Sequence, residues 1–84
     1  MTTDDIFNVV AASIREVEPE LESTPISPSD SMKVLGLESV ARVEVLMLSM
    51  ESLGITVPNT DLVAARNIGD LVTIFEQRLN QSGS

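Results

Sequence analysis

The sequence predicts an all-α protein, a small bundle of three main helices and one short one, with a long first connection. Apolar residues recur at helical spacing in three segments, the pattern of amphipathic helices. No segment alternates apolar and polar residues for long enough to make a strand. Size agrees: 84 residues suit one domain, taken as 1–84. A chain this short buries only about 60–65% of the surface its unfolded form exposes. It can hold a modest core but not a deep enclosed site. Phe7 and Phe75 are its only aromatics, so the core must be aliphatic.

The first helix is predicted over about 4–17. Thr2, Thr3 or Asp4 can cap it, and Asp4 and Asp5 suit the positive end of its dipole. Ile6, Val9, Val10, Ile14 and Val17 follow helical spacing. Pro19 argues against a regular helix continuing. The stretch "EPELESTPISPSDSMKVLG" has three prolines and five serines or threonines and reads as a long loop, which in a compact domain is usually functional or disordered. Leu21, Ile26, Met32, Val34 and Leu35 recur through it and are expected to pin it over the helices. Residues 30–33 suit a short helical turn.

The second helix is predicted over about 39–53 and ends at Gly54, which tolerates a left-handed backbone. "GITVP" is a short extended link. A brief helix over about 59–65 is capped by Asn59 or Thr60. The last helix, about 68–79, has Asn67 as its cap and Asp70 three residues on, with Ile68, Leu71, Val72, Phe75 and Leu79 as its stripe. Residues 80–84 read as a frayed tail.

The net charge is −8, with 13 Asp and Glu against 5 Lys and Arg. Such a surface repels nucleic acid and anionic membranes and attracts basic protein patches. Cysteine and histidine are both absent. That removes the thiolate nucleophile, the commonest general base and the commonest metal ligand. No catalytic residue and no metal site is expected, and the chain is not expected to be an enzyme. No signal peptide is recognised and no apolar run approaches the roughly 20 residues of a membrane span. A cytoplasmic monomer is expected.

The second helix carries too many apolar residues for one stripe. On a wheel, Ala41, Val45, Leu46, Leu48 and Leu53 gather on one side. Val40, Val43, Met47 and Met50 gather on another, bordered by Glu44 and Glu51. Either the helix is buried all round or one apolar side meets partners. The chain has few elements to cover it, so exposure is favoured. Methionine suits an adaptable docking surface, and the glutamates would steer a basic partner. Met50 also suits an ordinary core position.

Ser39 stands at the head of this helix. Locally the simplest reading is an N-cap. The sharper one is a modified hydroxyl whose phosphate would face the free amides and positive dipole end of the helix. A hydrolase nucleophile is disfavoured, since G-x-S-x-G and histidine are both missing.

"LGLESV", with Ser39 as its serine, resembles the Asp-Ser-Leu motif that opens the second helix of acyl carrier proteins, usually after Leu-Gly. The long Pro/Ser loop, "GITVP" and "NIGDLVTIFEQRL" follow in that family's order and spacing, over nearly the whole chain. The resemblance implies a four-helix acyl-carrier-type bundle. It implies 4′-phosphopantetheine on Ser39, installed from coenzyme A by a phosphopantetheinyl transferase using a magnesium ion, with the acyl group held as a thioester. It places Glu38, Val40, Val43, Glu44, Met47 and Glu51 on the surface shown to partner enzymes. Glu38 and Val40 depart from the family's usual aspartate and leucine. Arg42 and Met50 stand where fatty-acid-type carriers often have neutral or acidic residues, which makes the face less acidic and greasier.

A narrower resemblance is to the freestanding donor carriers of polyketide β-branching cassettes. Ser39-Val40, Arg42, Met47, Met50 and Asn67-Ile68-Gly69 match that pattern. It implies an acetyl group, made by decarboxylating a malonyl group and delivered to a 3-hydroxy-3-methylglutaryl (HMG)-synthase-like enzyme. A malonyl acyltransferase and a decarboxylating ketosynthase-like enzyme are the further partners implied. The alternatives are a general polyketide, fatty-acid or aminoacyl carrier, or a non-covalent helical interaction module.

Overall fold

The computed structural model describes residues 1–82; Gly83 and Ser84, the end of the tail predicted to fray, lie outside them. It is all helical among those residues, in the order expected: α1 (Thr3–Val17), a 3₁₀ turn (Pro19–Leu21), α2 (Ser39–Leu53), α3 (Asn59–Leu62) and α4 (Ile68–Ser82). α1 packs against both α2 and α4, and α3 against α4.

Thr2 caps α1. The Asp5 N–H donates to Thr2 Oγ1 and the Thr2 N–H donates back to Asp5 Oδ2, each at 3.1 Å. This reciprocal box satisfies two donors at the helix end and holds the Asp5 carboxyl below the usual carboxylate range, the Thr2 backbone bond first and its hydroxyl second. Ile6, Val10 and Ile14 then point into the core without solvent contact. Each such side chain contributes about 1.5–3 kcal/mol when fully buried. From α4, Ile68, Leu71, Val72 and Phe75 close over them.

The long connection is held at several points. Arg15 in the last turn of α1 donates to the carbonyls of Leu21 and Thr24, at 3.4 and 3.2 Å. The Asp30 carboxylate accepts from the Ser27 N–H at 2.9 Å. The Gly69 N–H then donates to the Pro28 carbonyl at 2.8 Å and the Ile68 N–H to the Asp30 carbonyl at 2.9 Å. A Cβ at residue 69 would stand 3.2 Å from that same Pro28 oxygen, so the glycine permits this close approach. Leu21, Ile26, Met32 and Leu35 pack against the core as expected, whereas Val34 is exposed. Met32–Gly36 form the expected helical turn, two to three residues later than 30–33. It closes with the Leu37 N–H on the Met32 carbonyl and Gly36 at φ 92°.

Two boundaries differ from expectation. α3 ends at Leu62, not near 65, because the Ala64 and Ala65 amides reach back only three residues, to Asp61 and Leu62, tightening the chain into turns. α4 continues to Ser82, past its last apolar contact at Leu79; Asn80 and Gln81 are helical rather than frayed. Asn67 caps it as predicted, its Oδ1 accepting from the Asp70 N–H at 2.8 Å. The Asp70 carboxylate reaches back to the Arg66 N–H at 3.1 Å, one residue before the cap.

Candidate functional site

α2 begins at Ser39 and ends on Gly54, whose left-handed backbone (φ 68°, ψ 33°) lets the Ile55 N–H close on the Met50 carbonyl. Its start is built differently from that of α4. Glu38, not Ser39, is the N-cap residue, and its side chain makes no capping bond. Ser39 is the first helical residue, which corrects its reading as a cap. The first intrahelical bond is from the Arg42 N–H to the Glu38 carbonyl, at 2.9 Å. No described group accepts from the amides of Ser39, Val40 or Ala41.

The Ser39 hydroxyl is therefore exposed, beside three open backbone donors. Its one hydrogen bond among the described residues is with a cation: Arg42 Nη2 donates to Oγ at 3.1 Å, one helical turn away. Amides, dipole end and guanidinium together make an environment suited to a phosphate on that oxygen. Ser39 also borders an open cleft of about 520 Å³ between α2, α3 and the turn at Met32, lined by Val43, Leu46, Leu62 and Val63 among others.

The outer face of α2 is apolar and uncovered. Val40, Val43 and Met47 are 72%, 54% and 61% exposed. Glu38, Glu44 and Glu51 are exposed beside them, so of the two predicted arrangements the exposed one holds. Two predicted members stand apart. Met50 is half-buried, packs against the core and accepts the Val57 N–H on its sulfur at 3.3 Å. Its alternative reading as a core residue is the better one, because the α2–α3 link folds over it. Arg42 is half-buried and turned toward Ser39 rather than outward.

Sequence reasoning missed two residues. Val63 is 80% exposed and lines the same cleft as Val43 and Ser39. Its signal was an apolar residue just past the end of a short helix. Ser49 is a polar residue within the apolar sequence of α2, and a solvent-facing place would be its ordinary one. It is instead fully buried between Val45 and Leu53 in the helix's inner face, and its hydroxyl has no hydrogen-bond partner among the described residues.

A helical bundle that exposes one serine at an open helix start, beside an uncovered apolar face, has the form of a protein that carries a group rather than transforms one. The comparisons agree. Residues 8–75 match the family model described as the phosphopantetheine attachment site. The chain belongs to this family, and is thus an acyl-carrier-type protein whose family cofactor is covalently attached 4′-phosphopantetheine. It is 32% identical to the polyketide biosynthesis acyl-carrier protein AcpK of Bacillus subtilis, over 98% of this chain and 100% of that one. It is 30% identical to the meromycolate extension acyl carrier protein of Mycobacterium leprae, over 92% of this chain and 67% of that one. Among solved structures it superposes with a TM-score of 0.83, at 40% identity, on a chain of the curacin biosynthetic pathway HMG synthase in complex with acetyl donor-ACP. That match covers 89% of this chain and 96% of the other. No helix among the described residues is long and apolar enough to cross a membrane.

Proposed function

We propose that Ser39 carries the phosphopantetheine arm and that the chain is a donor carrier for polyketide β-branching, handing an acetyl group to an HMG-synthase-like enzyme. The observation that carries the attachment reading is the open start of α2, where Arg42 donates to the Ser39 hydroxyl and the amides of residues 39–41 have no acceptor among the described residues. The residues fit the group: Ser39 supplies the oxygen, and the amides of residues 39–41 and Arg42 offset the phosphodiester charge. When bound, the arm supplies the thiol on which an acyl group rides as a thioester. In loading, Ser39 Oγ bonds to the phosphorus of coenzyme A that bears the pantetheine, 3′,5′-ADP leaves, and the hydroxyl proton passes to a base outside this chain.

The subtype is supported by the likeness to the polyketide carrier of Bacillus and to a chain of the HMG synthase complex. Val40, Val43, Met47 and the flanking Glu38, Glu44 and Glu51 form the docking face in this reading. The mycobacterial relatives favour a second reading, a carrier for fatty-acid-type chain extension.

Two measurements test the proposal. The apo-protein, incubated with coenzyme A, magnesium and a broad-specificity transferase, gains the mass of one phosphopantetheine, and Ser39→Ala gains none. The acetyl-loaded protein then acylates an HMG-synthase-like enzyme faster than a fatty-acid carrier does, and Met47→Glu slows that transfer. Equal rates for the two carriers sink the donor reading and leave the attachment reading standing.

A further inference from the structure

Three of the chain's five cationic side chains, Lys33, Arg42 and Arg66, line a single pocket of about 250 Å³. The chain's net charge is −8, yet none of the three makes an ion pair among the described residues. Arg42 donates to the Ser39 hydroxyl, and the side chains of Lys33 and Arg66 make no hydrogen bond among the described residues. Like charges gathered around one small volume repel, and an anion between them removes that cost. The pocket floor is apolar, formed by the buried Leu62, Ile68 and Leu71. A ligand that fits has one charged end and a short apolar body.

The pocket adjoins the cleft at Ser39, since Arg42 and Leu62 line both. A group tethered to Ser39 is held at high effective concentration beside it. We infer that this pocket seats the free carboxylate of a short dicarboxylic acyl group, of the malonyl class, carried on the arm. The guanidinium groups match a carboxylate in fork geometry. An acetyl group has no free carboxylate to offer, so the pocket distinguishes the two loaded states, holding the first and leaving the second free for a partner. The inference rests on the attachment at Ser39 and adds the class of group that the domain itself recognises.

The test loads ¹⁵N-labelled protein with hydrolysis-resistant malonyl and acetyl pantetheine analogues and compares amide spectra with those of the unacylated holo-form. Malonyl is expected to shift the amides near Lys33 and around Arg66–Ile68, and acetyl to leave them as in the holo-form. The shifts should vanish in the Lys33→Gln/Arg66→Gln double variant, whose fold the remaining spectrum reports. They should also vanish at 1 M salt, where the screening length falls to about 3 Å. Identical malonyl and acetyl spectra overturn the inference, as do malonyl shifts that survive in the double variant. A full shift already present in the holo-form assigns the pocket to the arm's phosphate and overturns it too. Failure of Ser39 to gain the arm's mass, seen before any spectrum, defeats the attachment reading and this inference together.

Discussion

The starts of α4 and α2 solve the same problem in opposite ways. A helix leaves its first amides without intrahelical partners. In α4 the amides of Ile68, Gly69 and Asp70 are all taken, by the Asp30 carbonyl, the Pro28 carbonyl and the Asn67 side chain. In α2 the amides of Ser39, Val40 and Ala41 have no acceptor among the described residues, and the N-cap side chain of Glu38 makes no capping bond to them. One end is closed for stability and ties the long loop to the bundle. The other is left open at the residue proposed to carry the arm. Departure from the capping rule at α2, with the rule obeyed at the other two long helices, α1 and α4, is the mark of a site shaped by function.

The largest effect expected from breaking this contrast is at Ser39. Ser39→Ala abolishes loading by the transferase, read as intact mass. The hydroxyl caps no amide, so stability in urea should stay within about 0.5 kcal/mol, as for an ordinary surface change. A loss of cap size, about 1 kcal/mol, would return Ser39 to the capping role its local sequence suggests. At the closed end the outcome reverses. Asn67→Ala is expected to cost about 1 kcal/mol, within the usual range of about 0.5–2 for a lost cap, with loading unchanged. For a domain of this size, 1 kcal/mol corresponds to a fall in Tm of about 4–8 °C.

How much of this was legible in the sequence follows from which forces act locally. Helical spacing located the helices and capping chemistry the starts of α1 and α4, since both depend on residues within one or two turns. The cap expected for α3 from Asn59 or Thr60 is not made, because Pro58 holds the N-cap position and no side chain caps the helix. The Ser39 pattern and its distance from "GITVP" and "NIGDLV" point to the family from the sequence alone. The side chosen by each α2 residue was less legible. Met50 shares a face with Met47 on a wheel, yet the link after Gly54 covers only Met50 and gives its sulfur a donor from Val57. Ser49 reads as polar, but its position is buried by contacts with distant parts of the chain. The cap was misplaced by one residue because a serine before an apolar run is the usual cap signal, while the backbone of Glu38 is the extended one (φ −78°, ψ 170°). The convergence of Lys33, Arg42 and Arg66 was invisible, because they come from three separate segments.

A smaller effect sharpens the comparison from the other side. Aspartate is a strong N-cap, whereas the longer glutamate is not among the favoured residues. Glu38→Asp should therefore supply α2 with the acceptor it lacks and raise stability by about 0.5 kcal/mol. The corresponding rise in Tm is about 2–4 °C. No change would mean that the backbone at residue 38, rather than the length of its side chain, keeps the amides open.

The start of α1 lies between the two, and it yields the smallest prediction, a pH dependence. Its capping box depends on Asp5 as a carboxylate accepting the Thr2 N–H, which with the Thr2 hydroxyl holds the Asp5 pKa below its ordinary value. A carboxyl whose pKa is lowered by folding binds protons more readily in the unfolded chain, so its contribution is present above the unfolded value and is lost as pH falls through the folded one. The ordinary aspartate value is about 3.9, so the loss begins near there and completes below it. Compared by urea unfolding, native protein and Asp5→Asn should differ most near neutral pH and converge in that acid window. The carboxyl carbon of Asp5 should titrate lower in the folded protein than in urea. A gap that stays constant down to the lowest pH would show that Asp5 stabilises α1 without its charge. In that case the box would be a neutral hydrogen-bonding device, closer to the Asn67 cap of α4 than to a partner of the helix dipole.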